Sequence, residues 1–543
     1  MESLAFEFKD SDIRFIGHNI IEYDIPVLRK LWGVDIKDEH IIDTLILSRL
    51  YSPKLEDGHS LEAWGNRLKF PKGAFSDFSK FSPEMLEYCI RDVKLTKLLY
   101  KHLWEKVGEW TDAIRIEHEV AAALRDAQSY GFYFNVAEAL NIREELDKER
   151  TALDAIIQAA YPPTYTGKRV IKEVPFNPNS AKQVIDKLWE AGWKPLEKTD
   201  GHKEYQDTDP VKLDRFRIYG WKLNEVNLST LPDDAPEAAK SILKRTIYET
   251  RIRKLDEWLN LVHDDGAIHG RVIGIGTWTH RMSHQNPNMA NISAKKSIKY
   301  KTKELNELAT TLGGRMRALW VARPGRVLVG TDAEGIQLRV LAHYMEDEEF
   351  IKAVTEGNKD EGTDPHSLNQ RRIGLGTRDN AKTFIYAFLL GAGDGKVGEI
   401  YGLSKSKGRA LKESYVNSTP GLRKLKAERI PTEAYRGFTI GFDGRRINCD
   451  SEHLMMAAYL QAGEAVIMKV ALCLSIKEIK RLNLDARLIN VVHDEMIFEC
   501  SQEHAEQVRL ITEASIGRAG VLLNLKCPMK GEGKVGRSWL DVH

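Results

Sequence analysis

Two apolar strands, far apart in the chain, each deliver an acid to their end, and this limits the fold more than any other feature. The first is Val327-Leu-Val329, which continues through Gly330 and Thr331 to Asp332. Gly335 then opens an amphipathic helix carrying Ile336, Val340 and Leu341. The second lies in Ala486–Cys500, where two apolar runs flank His493-Asp494-Glu495. That pattern predicts a β-hairpin with the acids at its tip. A carboxylate at the mouth of a buried strand is rigidly held yet open to solvent, which suits metal binding. Each acid alone is equally well a solvated turn residue. Both together predict a sheet that carries two carboxylates to one edge.

A third segment, Thr377–Gly391, repeats Arg378, Lys382 and Tyr386 every four residues. On a helix these share one face, drifting about 40° per step. Phe384, Ile385, Phe388 and Leu389 supply the opposite, buried face. Two cations and a phenol in one stripe can grip a triphosphate and pack on a sugar or base. His366 lies close enough upstream to add a phosphate contact. Gly391-Ala-Gly-Asp-Gly-Lys396 is one residue short of a phosphate loop, with Val397 in place of Ser or Thr. It reads as a helix terminator.

The chain has 543 residues, enough for three or four domains, with 42% hydrophobic and 29% charged residues, which excludes wholesale disorder. The net charge of +1 leaves room for a basic groove balanced by acidic surface. Cys89, Cys449, Cys473, Cys500 and Cys527 form no C-x-x-C pair, so neither a disulfide framework nor a zinc site is expected. The stretch Ala465–Ile476, interrupted by Lys469, is too short to span a bilayer. The first residues, with Glu2, Glu7, Lys9 and Asp10, lack a signal-type apolar core. Helices are expected over Ile41–Leu50, over Pro83–Leu103 with Ser82 as N-cap, over Thr111–Tyr161, and over Pro236–Val262. The organisation is an α/β module at 1–108, a helical arm at 109–270, and a mixed α/β body at 271–350 and 438–543. A helical insertion at 351–437 interrupts that body.

The three segments together resemble motifs A, B and C of the family A DNA polymerases. The variant Thr-Arg-Asp-Asn-Ala-Lys-Thr-Phe-Ile-Tyr is most similar to the replicative enzymes of T-seven-like podophages. Thr279-His-Arg281 with Pro287–Ile292, Gly441–Arg446, Leu460-Gln461 and Arg251–Leu255 resemble further family segments. The resemblance implies an α/β multidomain, right-hand fold. Its palm is 271–350 and 438–543, its fingers 351–437, its thumb 109–270, and 1–108 is an incomplete RNase H-like exonuclease domain. It implies primer extension with deoxynucleoside triphosphates at two Mg²⁺ ions held by Asp332, Asp494 and the Ala333 carbonyl. Glu495 is then an auxiliary acid and Lys382 a proton donor to pyrophosphate. Arg378, Lys382, Tyr386, His366, Gln337, Glu334, Gly335 and Ile336 are implied to meet the nucleotide. Arg281, Gln461, His493, Arg445, Arg251 and Lys254 are implied to meet DNA. A Tyr at 386 goes with acceptance of dideoxynucleotides.

Several positions depart from the family pattern. Gln337 replaces a Glu that gates the ribose 2′-hydroxyl, and Leu390 replaces a Tyr that pairs with it. A neutral amide is easier to leave unpaired than a carboxylate, so sugar discrimination is expected to survive. Gly17–Asp24 and Tyr88–Asp92 resemble the second and third motifs of a DEDD-type 3′–5′ exonuclease, with Asp24, Tyr88 and Asp92 as a residual site. No Asp-x-Glu strand precedes them, so proofreading by this chain alone is not expected. A separate chain could supply the missing strand. The stretch Tyr161–Pro175 is too short for a thioredoxin-binding insertion. Lys295, Lys296, Lys299, Lys301 and Lys303 form a basic run suited to duplex backbone. The expected partners are primer–template DNA, nucleotides and a phage helicase–primase, in the cytoplasm of an infected bacterium and away from membranes. The alternatives are a single-subunit phage-type RNA polymerase and a catalytically silent DNA-binding protein.

Overall fold

The computed structural model describes residues 13–34, 36–166, 172–199, 220–292, 300–389 and 391–543. The N-terminal module holds a parallel strand pair, β1 (Phe15–Gly17) and β2 (Ile41–Asp43), against helix α1 (Pro83–Val107). Leu99, Leu103 and Val107 of α1 pack with Ile21, Ile25, Leu47 and Trp64. Ser82 caps α1 by accepting from the Met85 amide at 3.1 Å, with Pro83 in the first turn, where its missing N–H costs nothing. The expected helix over Ile41–Leu50 is corrected. Its first three residues form β2, and the helix starts at Thr44 because the Asp43 carboxylate caps it through the Leu45 amide at 2.9 Å.

The expected single helix over Thr111–Tyr161 is also corrected. It is two helices, α2 (Thr111–Tyr130) and α3 (Val136–Ala160). Gly131 breaks the run at φ +73, and an added Cβ there would meet His269 at 2.9 Å. Phe132–Tyr133 instead pairs with Ala267–Ile268. Helix α4 (Glu237–Leu259) runs antiparallel to α3, with Arg150–Glu249 at 2.8 Å and Arg245–Asp154 at 2.5 Å across the seam.

The body is a four-stranded antiparallel sheet built on β3 (Arg326–Ala333). Helix α5 (Ile336–Met345) follows directly. The helical insertion includes α6 (Pro365–Ile373) and α7 (Arg378–Leu389). The chain returns through the 30-residue α8 (Glu452–Arg481), the hairpin β4 (Ala486–Val492) and β5 (Glu495–Ser501), helix α9 (Ala505–Leu522), β6 (Gly531–Gly536) and the short α10 (Trp539–Val542). Strand order is β4-β5-β3-β6. Both faces of β3 are covered. Val327 and Val329 join the core that contains α8 and α9, while Leu328 joins the one containing Trp320 and Trp539. That is why its apolar residues run on without alternation. By length and composition α8 could cross a membrane, yet 83% of its most apolar stretch is buried inside the protein.

Candidate active site

The sheet brings the two distant acids to one edge. Asp332 lies opposite Glu495 in the β3–β5 ladder, and the Ala333 amide donates to the Asp494 carbonyl at 2.9 Å. His493, at φ +52, makes the tight turn that aims Asp494. Loss of surrounding water, then the charges of Asp494 and Glu495, push the Asp332 carboxyl up to about 7. Its outer face stays open to solvent, which screens part of that repulsion and leaves a route for a ligand. Desolvation, then the charge of Glu464, push Asp494 up to about 6. Glu495 is buried and accepts from the Trp539 indole N–H at 3.1 Å, with His543 Nδ1 at 3.3 Å from its other side.

Hard oxygen donors under mutual repulsion fit a divalent cation. Among the described residues no group of three or more His, Cys, Asp or Glu side chains could hold a metal unaided.

The insertion carries the stripe, and its Tyr386 feels the charge of Asp494. Asp364 caps α6 and accepts from Arg378 Nε at 3.1 Å and Nη2 at 2.9 Å. Loss of water opposes ionisation there, but the Arg378, Ser367 and His366 bonds hold the Asp364 carboxyl down at about 2. Arg378 is thereby oriented, with its Nη1 3.9 Å from the exposed Asp379. His366 is buried, and desolvation followed by the Arg378 charge lowers it to about 4, so it is neutral at pH 7. Its ring centre stands 6.0 Å from that of Tyr386. Burial, then the Asp494 charge, raise the Tyr386 phenol, which ties α7 electrostatically to the acids at the sheet edge. Lys382 is exposed on the same helix.

A model of DNA polymerase family A matches residues 164–541. The chain belongs to DNA polymerase family A. It is a DNA-directed DNA polymerase, a nucleotidyltransferase, with the family's right-hand α/β architecture. The DNA-directed DNA polymerase of Enterobacteria phage T3 is 27% identical, over 100% of this chain and 94% of its own length. That of Escherichia phage T7 is 27% identical, over 97% of this chain and 92% of its own. The thermostable DNA polymerase I of Thermus aquaticus is 25% identical over 85% of this chain and 53% of its own. The POL domain of Pol1 from M. smegmatis, in complex with DNA primer-template and dNTP, has a similar fold. Its TM-score is 0.79 at 20% identity, covering 99% of this chain and 88% of that one.

Several positions assigned to DNA or nucleotide have partners within the protein. Arg445 is fully buried. It is bidentate to Asp443, Nε to Oδ1 at 3.0 Å and Nη2 to Oδ2 at 2.6 Å, and donates to Glu117 at 2.5 Å, so its guanidinium is spent inside the protein. Arg251 is likewise buried, paired with Glu225, which also accepts from Tyr300 at 2.6 Å. The Ile336 side chain belongs to the core, so only its backbone can face a nucleotide. Glu334 is paired with Lys530 at 2.7 Å. Gln337 is not unpaired: its Nε2 donates to Glu464 at 2.8 Å. Gln461 accepts from Thr279 at 3.1 Å, Lys254 is half-buried on α4, and Gly335 starts α5 at φ +58. Leu390, Lys295, Lys296 and Lys299, with part of Tyr161–Pro175, lie outside the described residues.

In the N-terminal module Asp24 is exposed, and Asp92 pairs with Lys72 at 3.2 Å, whose ammonium also stands 5.1 Å from the Tyr88 ring centre. A lysine thus supplies positive charge at Asp92.

Sequence reasoning missed Glu464, Asp364, Trp539 and His543. Only Asp364 left a local signal, as an Asp-Pro pair opening a helix. The others act through contacts across long stretches of chain.

Proposed function

We propose that the polymerase extends a primer 3′-hydroxyl on a DNA template with deoxynucleoside triphosphates at the Asp332–Asp494 edge, in the replication of a phage genome. The observation that supports this reading is that two acids raised by burial and repulsion act electrostatically on Tyr386, on the helix that also bears Arg378 and Lys382. Asp332, Asp494 and the Ala333 carbonyl are the groups that would hold two Mg²⁺ ions, with Glu495 beside them. When bound, such ions lower the pKa of the attacking hydroxyl and neutralise the triphosphate and leaving pyrophosphate.

The chain's own groups do the rest. Arg378, oriented by Asp364, and Lys382 neutralise phosphate oxygens. Neutral His366 offers a hydrogen bond without adding charge. Lys382 is placed to give a proton to pyrophosphate. Tyr386 closes over the base and sugar, and α7 moves as the lid that a correct pair draws shut. Arg281, Gln461 and His493 line the primer side, and Lys254 serves the duplex.

In the N-terminal module Lys72 neutralises Asp92, which weighs against metal-dependent proofreading at that acid. A phage helicase–primase is the expected working partner in the cytoplasm of an infected bacterium, and thioredoxin is not expected to bind.

Primer extension tests the reading. Wild-type protein with Mg²⁺ and deoxynucleotides should lengthen a primer, and Asp332→Ala or Asp494→Ala should stop it while leaving the melting curve folded. Undiminished extension by either variant would refute the site. A preference for ribonucleotides would favour the RNA polymerase alternative.

A further inference from the structure

Glu464 sits on α8 at 1% exposure, inside the molecule and beside the proposed reaction centre. One of its oxygens accepts from Gln337 Nε2 at 2.8 Å and from Arg281 Nη2 at 2.5 Å. The other oxygen is buried without a hydrogen-bond partner among the described residues, as is Nε of Arg281. A buried carboxylate with half its acceptors unmet is costly. A purely structural ion pair would satisfy both oxygens.

Its two donors come from different parts of the chain. Gln337 is in the first turn of α5, directly after the strand that carries Asp332. Arg281 lies in the loop joining Arg271–Ile273 to Ser283–Gln285. Donation from Nε2 fixes which end of the Gln337 amide faces α8, so its carbonyl oxygen points the other way. Without Glu464 the amide could rotate, and a mobile amide can move aside for, or hydrogen-bond to, an extra sugar hydroxyl. The carboxylate also acts on the Asp494 charge, so it is near the acids themselves.

We propose that Glu464 is a specificity-determining positioning residue: it locks Gln337 and Arg281 together, so that the sugar of the incoming nucleotide meets a fixed side chain. This rests on the reaction centre proposed above.

The test is kcat and KM for a deoxynucleotide and its ribonucleotide in wild type, Glu464→Ala, Glu464→Gln, Gln337→Glu and the reversed pair Gln337→Glu/Glu464→Gln. Glu464→Ala should lower the deoxy-to-ribo ratio of kcat/KM by about tenfold, the loss expected from one charged hydrogen bond. Glu464→Gln, which keeps a neutral acceptor, should lower it less. Gln337→Glu alone sets two carboxylates face to face and should weaken deoxynucleotide use. The reversed pair, with donor and acceptor exchanged, should recover the ratio to within about threefold of wild type.

Equal losses for both sugars in Glu464→Ala and Glu464→Gln would overturn the proposal, as would a reversed pair no better than Gln337→Glu alone. If Glu464→Ala does not fold, the near-isosteric variants decide. Asp332→Ala, run alongside, separates failure of this inference from failure of the reaction centre. Persistent extension by that variant would condemn the centre itself.

Discussion

Replacing Asp364 with Asn should cost the polymerase both stability and grip on its nucleotide. Asp364 is 5% exposed, so little water screens it. It accepts from Arg378 Nε at 3.1 Å and Nη2 at 2.9 Å, from Ser367 Oγ at 2.6 Å and from the His366 amide at 3.0 Å. Its carboxyl is held at about 2 against an ordinary 3.8. That difference corresponds to about 2 kcal/mol. A lowered carboxyl stabilises the fold wherever it is ionised, fully above about pH 4, and the benefit fades as pH falls towards 2. At pH 7.5 the whole amount is at stake.

Asn keeps one acceptor oxygen for the helix cap but loses the charge that orients Arg378. Urea denaturation at pH 7.5 should show a loss of about 2 kcal/mol. Steady-state primer extension should show KM for the incoming nucleotide raised by about ten- to thirtyfold, with kcat less affected. Asp379→Asn is the control: that acid is 92% exposed, stands 3.9 Å from Arg378, and should change neither measurement. A KM within about twofold of wild type, with the stability loss present, would show that Arg378 does not depend on Asp364 for its aim.

The other expectations concern separate parts of the molecule. Without divalent cation the folded protein binds extra protons at Asp332 and Asp494, so its stability should fall as pH rises from about 4 to 7. In EDTA, Asp494→Asn should therefore melt above wild type at pH 7.5 with a smaller gain at pH 5, and an equal gain at both would refute the repulsion. Arg445→Met leaves Asp443 buried without its cation and should cost about 3 kcal/mol in urea denaturation; an unchanged midpoint would mean that the acid reaches water. Tyr386→Phe should reduce dideoxynucleotide incorporation relative to normal extension, and an unaltered termination ladder would count against the role given to its hydroxyl. With Mg²⁺ the chain alone should release no more nucleotide from a single-stranded 3′ end than the double variant Asp24→Ala/Asp92→Ala, and any excess would show a working nuclease.

What the sequence disclosed was local. Apolar Val327–Val329 next to Asp332, the His493 turn and the α7 stripe are each contained within about one element, so period and polarity reveal them. The Ser82–Pro83 cap was legible for the same reason. What stayed hidden depends on distant chain segments meeting. Arg445 and Arg251 read as DNA contacts because a sequence displays charge and not burial, and their partners Glu117 and Glu225 lie far away along the chain. Gln337 looked unpaired because Glu464, on another helix, could not be seen to face it. The break at Gly131 was missed because flanking Ala and Leu favour a helix, while the chain there needs a left-handed residue to pass His269.

Helix α2 has a mechanical consequence for the N-terminal module. On one side its His118 accepts from the Asp43 amide at 2.8 Å and its Arg125 grips Asp38 at 2.8 Å. On the other its Glu117 takes Arg445 at 2.5 Å and Lys469 at 2.6 Å. Excising the N-terminal module would strip one flank of a beam whose opposite flank braces the synthetic half. The module is thus a buttress for the synthetic half, whatever chemistry it carries.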